Sequence, residues 1–286
     1  MPAGRLALPV GDYRGPVAEQ LSDCDDRRLA GYRGLNEGRR RDRWERGNHL
    51  FVVEGVLALE QLLASDYEVD SVLIKGNRLS RVEDLIAAAG RPSIPVLVAN
   101  AELIQSVAGF DVHRGVLAQG RRRQLPEPAQ LLKSVPMQRP VVVVEGVNDH
   151  ENLGAIFRNA SAFGAGAVLS DPTTCDPLYR RSIRVSLGHV LRVPFSRCAS
   201  WPEDLSAIRA SGRIVVALTP AGEETIASAA AQLDGASIAL VAGAEGPGLS
   251  EGALAGADLR VRIPMASGVD SLNVATAVAV ALSRLA

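Results

Sequence analysis

Lysine is almost missing from this chain. Only Lys75 and Lys133 occur among 31 basic residues, and the others are arginines. An arginine fork suits bidentate phosphate contact better than an ammonium does, although a GC-rich genome gives the same bias. Cysteine is equally scarce. Cys24, Cys175 and Cys198 stand far apart, with no CxxC and no Cys/His cluster, so no zinc site is expected. Such an odd, sparse count fits a reducing compartment. An excess of positive charge is lacking too. The 31 cations face 32 acids, for a formal net charge of -1. This excludes a histone-like mode of nucleic-acid binding but leaves room for local basic patches. Long apolar runs are absent. The longest helical candidate, Val274 to Leu282, is too short to span a bilayer. No apolar run precedes a small-residue cleavage site at the N-terminus. A cytoplasmic protein without a membrane partner is expected.

What is present fits a globular protein: 286 residues, 47% hydrophobic and 22% charged, enough for two domains. Residues 1–47 read as a polar, Arg-rich leader, and the charge run Glu37 to Arg46 within it suits a solvated helix or tail. From Leu50 the pattern alternates between strand and helix. Strands are expected at 50–54, 69–74, 95–98 and 115–118, with helices at 56–64, 80–89 and 101–107. Ser80 suits an N-cap, with Glu83 at the capping-box position. These elements make a small domain over 48–120. Residues 121–139 begin Arg-Arg-Arg and carry several prolines, as a linker would.

The second domain, 140–286, opens on four consecutive valines, Val141 to Val144. Such a run suits a strand buried on both faces of a parallel sheet. Further strands are expected at 167–169, 190–193, 213–218, 238–242 and 259–263, and helices at 152–163, 202–210 and 272–285. The alternation implies a mostly parallel α/β fold.

Three segments there carry polar residues where a plain scaffold would not need them. Asn152-Leu-Gly-Ala-Ile-Phe-Arg158 opens a helix after a buried strand, with Asn152 placed to cap it. Gly243-Ala-Glu-Gly-Pro-Gly-Leu-Ser250 is a strand running into a Gly-rich loop with one carboxylate, Glu245. Ile263-Pro-Met265 leads to Ser271-Leu-Asn-Val274 and an almost uncharged final helix. Each has a bland alternative: Arg158 on a solvated face, an ordinary turn, a buried terminal helix.

Together and in this order, the three segments resemble the motifs of the SpoU/TrmH family of RNA ribose 2′-O-methyltransferases, in the SPOUT superfamily. The small domain before the linker resembles the L30e-like RNA-binding domain that many members carry. The resemblance implies a C-terminal α/β domain with a deep trefoil knot, S-adenosylmethionine as cofactor, and a homodimer. It implies Leu218, Gly243, Gly248, Ile263, Met265, Ser271 and Leu272 as cofactor contacts. Arg158, Asn152, Glu245, Ser271 and Asn273 match its catalytic positions, and no metal is implied. A guanidinium does not lose its proton near neutrality, so Arg158 is expected to stabilise phosphate or alkoxide. Ala244 departs from the family, which often has a side-chain hydrogen-bonding residue there.

The substrate implied is structured RNA, with ribosomal RNA favoured over transfer RNA. Arg121, Arg122 and Arg123, and Arg180, Arg181 and Arg184, are candidate RNA contacts, as is the cluster Arg39 to Arg46. His150 is the best catalytic candidate among four scattered histidines. Trp44 and Trp201 suit packing more than base stacking. A non-catalytic RNA-binding protein would not need Asn152, Arg158 and Asn273 together. A dinucleotide oxidoreductase would need G-x-G-x-x-G after a first strand, and Gly243-x-x-Gly-x-Gly248 is spaced otherwise.

Overall fold

The computed structural model describes residues 18–285, with the side chain of Arg39 excepted, so the first part of the leader lies outside it. The described elements form two α/β sheets. The first contains β1 (Ala18–Gln20), β2 (Leu50–Glu54), β3 (Val69–Lys75), β4 (Val96–Ala99) and β5 (Val116–Arg121). Its order is β1-β4-β3-β5-β2. The first three run parallel, and β5 is antiparallel to both β3 and β2. Its helices are α1 (Arg39–Gly47), α2 (Val56–Leu63), α3 (Leu79–Ala88) and α4 (Ala101–Ala108).

The Arg-rich leader does not stand apart. β1 extends the sheet beside β4, and α1 is only partly solvated. Arg41 and Glu45 are buried and paired at 2.8 Å, with the Arg41 guanidinium donating to the carbonyls of Gly31 and Arg33. Ser80 does not cap α3. A 3-10 turn over Gly76–Arg78 feeds the helix directly, so Ser80 falls inside its first turn.

The expected linker is also partly structured. α5 (Pro128–Ser134) buries Leu131 and Leu132 against the second sheet. That sheet contains β6 (Val141–Glu145), β7 (Ala167–Ser170), β8 (Phe195–Arg197), β9 (Ile214–Leu218), β10 (Glu224–Thr225), β11 (Ile238–Gly243) and β12 (Leu259–Arg262). All seven strands are parallel, in the order β10-β12-β9-β11-β6-β7-β8. The four valines of β6 are fully buried, as a central parallel strand requires. Its helices are α6 (His150–Ala162), α7 (Arg180–Val185), α8 (Leu205–Ala210), α9 (Ile226–Gln232), α10 (Glu251–Ala255) and α11 (Val274–Leu285). No described helix is long and apolar enough to cross a membrane.

One strand moved. The apolar run 190–193 forms a 3-10 turn over His189–Leu191, and β8 starts only after Pro194. Gly188 turns the chain at φ +83°, and the Ser186 hydroxyl accepts from Val190 N, which favours a helical turn. Val190, Leu191 and Val193 are buried in either conformation, so apolarity could not distinguish them.

Candidate active site

Chain order reverses between β6 and β11, which lie side by side. From β6 the chain moves to β7 and β8 on one flank, and from β11 to β12 on the other. Crevices beyond the carboxyl ends of strands at such a reversal are where open α/β sheets bind ligands. A cavity of about 510 Å³ lies there, at the ends of β9 and β11 and in the segment after β12. Leu218, Gly243, Gly248, Ile263, Met265, Ser271 and Leu272 all line it. Apolar side chains form much of the wall, while Glu245, Asp270, Ser271 and the loop backbone supply polar groups.

The Gly-rich loop folds back on its own strand. Gly248 N donates to Ala244 O at 3.0 Å. Gly246 and Gly248 take φ of +89° and +70°, which side chains disfavour. A Cβ on Gly243 would lie 2.3 Å from the Gly248 carbonyl carbon, so only glycine permits this approach. The Glu145 carboxylate fixes the far end of the loop by accepting from Ser250 N at 3.0 Å.

Three of the expected catalytic residues meet beside this cavity. Glu245 Oε1 accepts from Asn152 Nδ2 at 3.1 Å, Asn273 Nδ2 at 2.7 Å and Val274 N at 3.4 Å. Asn273 Nδ2 also lies 2.7 Å from Asn152 Oδ1. One carboxylate oxygen thus gathers the first, second and third motifs, and Ser271 lies in the adjoining wall. Asn152 does not cap α6. Asp149 does, accepting from Glu151 N and Asn152 N, which frees the Asn152 amide to face Glu245. Asn273 caps α11, accepting from Thr276 N at 3.1 Å.

Sequence reasoning missed Asp149, Glu145 and Asp171. Asp171 follows β7 and accepts from Gly146 N and from the backbone and hydroxyls of Thr173 and Thr174. Burial alone would push its carboxyl up, but these donors hold it below the ordinary value. It thereby ties down the loop that leads to Asp149. Its bonds to Thr173 and Thr174 are local, but spacing carries no sign of the one to Gly146, which lies 25 residues away at the end of another strand.

The other expected residues are placed differently. Arg158 is exposed and does not line the cavity. His150 is stacked on Tyr179 with ring centroids 4.3 Å apart, and Nδ1 lies 3.2 Å from Ser182 Oγ. It packs α6 against α7 and is absent from the cavity wall. Trp44 lies under the Arg41 guanidinium at 4.6 Å, and Trp201 packs against the second core.

The arginine clusters are divided. Arg122 is turned inward, donating to Leu50 O and pairing with buried Asp176 at 2.8 Å. Arg180 pairs with Glu54 of β2 and stacks on Phe110 at 4.5 Å. Both join the two sheets, with their guanidiniums engaged inside the protein. Arg121 pairs with Asp70 and Glu68, Arg123 with Asp66, and Arg181 with Glu151, all at the surface. Arg184 has no carboxylate partner among the described residues.

Comparison with known proteins matches this architecture. Residues 139–283 match the model of the SpoU rRNA Methylase family, and residues 52–126 match that of the RNA 2′-O ribose methyltransferase substrate binding domain. An uncharacterized tRNA/rRNA methyltransferase of Mycobacterium bovis is 44% identical, over 93% of this chain and 91% of the relative. A 23S rRNA (guanosine-2′-O-)-methyltransferase, RlmB of Haemophilus ducreyi, is 32% identical over 82% and 96%. Among solved structures, an RNA 2′-O ribose methyltransferase superposes with a TM-score of 0.74 at 27% identity, covering 93% of this chain and 98% of that one. An AdoMet-bound rRNA methyltransferase from Sinorhizobium meliloti shares the fold, with a TM-score of 0.76 at 24% identity over 94% and 97%. With a substrate-binding domain before it and a methylase domain covering half its length, the chain belongs to the SpoU rRNA methylase family.

Proposed function

We propose that this protein transfers a methyl group from S-adenosylmethionine to a ribose 2′-hydroxyl of ribosomal RNA. The observation that carries the reading is the convergence of Asn152, Glu245 and Asn273 beside a cavity lined by all seven expected cofactor contacts. A plain RNA-binding protein of this fold has no need of that junction.

The cavity fits the cofactor on its own chemistry. Its volume lies in the range of small-molecule sites. Leu218, Ile263, Met265 and Leu272 offer apolar surface for an adenosyl group. Glycine at 243 and 248 brings backbone close to a ligand. Bound there, the cofactor would supply a methyl group activated by a sulfonium. The residues then have to align a ribose oxygen with that methyl and exclude water, which is the main contribution to such a transfer. Glu245 holds the three segments in one geometry. Asn152 and Asn273, each bonded to it, present a rigid polar edge to the ribose.

We further infer a homodimer. Arg158 is the residue expected to stabilise charge on the nucleophile, yet it does not line the cavity of its own chain. A second copy can bring an exposed Arg158 to that cavity. The final segment is inferred to thread the trefoil knot expected of the family. The relatives named for 23S rRNA support ribosomal over transfer RNA as substrate.

Mass-spectrometric mapping of 2′-O-methyl nucleotides in total RNA, with and without the gene, tests the reading. Loss of one site in ribosomal RNA is the expected result. No loss anywhere overturns it, and loss from transfer RNA alone redirects it.

A further inference from the structure

The 3-10 turn His189–Leu191 packs against α6. Ser161 Oγ, on α6, lies 2.9 Å from His189 Nδ1. Arg158 stands one helical turn before Ser161 and so on the same side of α6. Arg192 closes the 3-10 turn. Both guanidiniums act on the His189 ring through their charge.

The exposed cations of the described residues divide between paired and unpaired ones. Arg28, Arg46, Arg81, Arg121 and Arg123 each have a carboxylate partner. Arg158 and Arg192 are exposed, and neither has a carboxylate or carbonyl partner among the described residues. Like charges gathered around one ring raise the energy of the unliganded surface. A tetrahedral dianion or diester relieves it, and guanidinium forks match phosphate oxygens in pairs. The histidine adds an uncharged ring whose Nδ1 is engaged by the Ser161 hydroxyl, which leaves Nε2 to face a ligand. Burial, with the two nearby positive charges, holds the ring below its ordinary pKa and so uncharged at neutral pH.

We propose that Arg192 and His189, together with Arg158, form a binding site for a backbone phosphate of the RNA substrate. The proposal rests on the RNA reading above, but its test does not require methyl transfer. Wild-type protein and the variants Arg192→Ala, Arg192→Lys and His189→Gln would be titrated with deproteinised 23S ribosomal RNA over a range of KCl concentrations. Arg209→Ala, which removes one charge from α8 on the other face of the sheet, is the control.

Arg192→Ala is expected to weaken RNA binding about five- to tenfold and to lower the salt slope by about one. Arg192→Lys should keep the slope and recover part of the affinity. His189→Gln should weaken binding less and leave the slope unchanged. Calorimetric affinity for S-adenosylmethionine should be unaffected in all three. In methylation assays, Arg192→Ala should raise KM for RNA with kcat retained. An unchanged slope in Arg192→Ala, or an equal loss in Arg209→Ala, overturns the site. Wild-type KM in Arg192→Ala would defeat the site and leave the proposed function standing. Absence of methylation in the wild type, with the binding results intact, would do the reverse.

Discussion

Asn273 donates to the side-chain oxygen of Asn152 at 2.7 Å, across 121 residues of chain. Neither amide could hold this position by itself. The Glu245 carboxylate between them accepts from both and makes one rigid unit from three segments. Asn273→Ala removes its donor from Asn152 and from Glu245 and also the cap on α11. The loss expected is about 1–3 kcal/mol of local stability. Cofactor affinity measured by calorimetry should fall at least tenfold while far-UV circular dichroism stays native. Unchanged affinity would show that the junction does not shape the cavity.

Gly243→Ala probes the opposite wall. The added methyl carbon would lie 2.3 Å from one backbone atom of Gly248 and 2.4 Å from its carbonyl oxygen, with no flexible side chain to yield. The loop must move away from the strand. S-adenosylmethionine should then no longer raise the thermal midpoint, whereas it should raise that of the wild type. Retention of the ligand-induced shift in the variant would count against this description of the site.

Asp176 links the domains, pairing with Arg122 at 2.8 Å and standing 3.6 Å from Arg46. Burial disfavours its charge, but Arg122 and the Leu178 amide outweigh burial and hold its pKa below the ordinary 3.8. A carboxylate with a lowered pKa contributes stability that is complete above its unfolded value. That contribution is lost as pH falls through the folded value. Asp176→Asn should therefore destabilise by about 3–5 kcal/mol at pH 7, because it strands a half-neutralised arginine. The gap from wild type should narrow as pH drops below about 3.8. Denaturant titrations at pH 7 and pH 3 would measure it, and a gap that widens in acid would be inconsistent with this pairing.

Arg180 reaches from α7 to Glu54 and Phe110 in the first domain. Arg180→Ala should loosen the domain junction without emptying either core. Limited proteolysis is expected to cut faster near residues 122–127, and the two sheets should unfold less cooperatively. Arg121→Ala, whose partners are at the surface, should change stability by less than about 1 kcal/mol. Equal sensitivity in the two variants would contradict the division between inward and outward arginines.

The three motifs could be read along the chain because each uses residue types that its local element does not require. Asparagine inside a helix start, a carboxylate in a glycine loop and a serine-asparagine pair before an uncharged helix all stand out. The valine run of β6 and the alternation of strands and helices set the fold class, since burial on both faces leaves a contiguous apolar signature. Local signals failed where two structures bury the same side chains. Val190 to Val193 is such a case, settled by Gly188 and Pro194.

By itself, then, the sequence determined the α/β class and the order of the motifs. Only the tertiary structure decided that Asp171 secures the loop after β6 and that Arg122 and Arg180 join domains. It also decided that Arg158 lies away from its own cavity. The reason is physical. A side chain's chemistry is written in the sequence, but whether an arginine meets a carboxylate, a carbonyl or solvent depends on partners from distant strands. Those partners are set by sheet order and register, which no local pattern encodes.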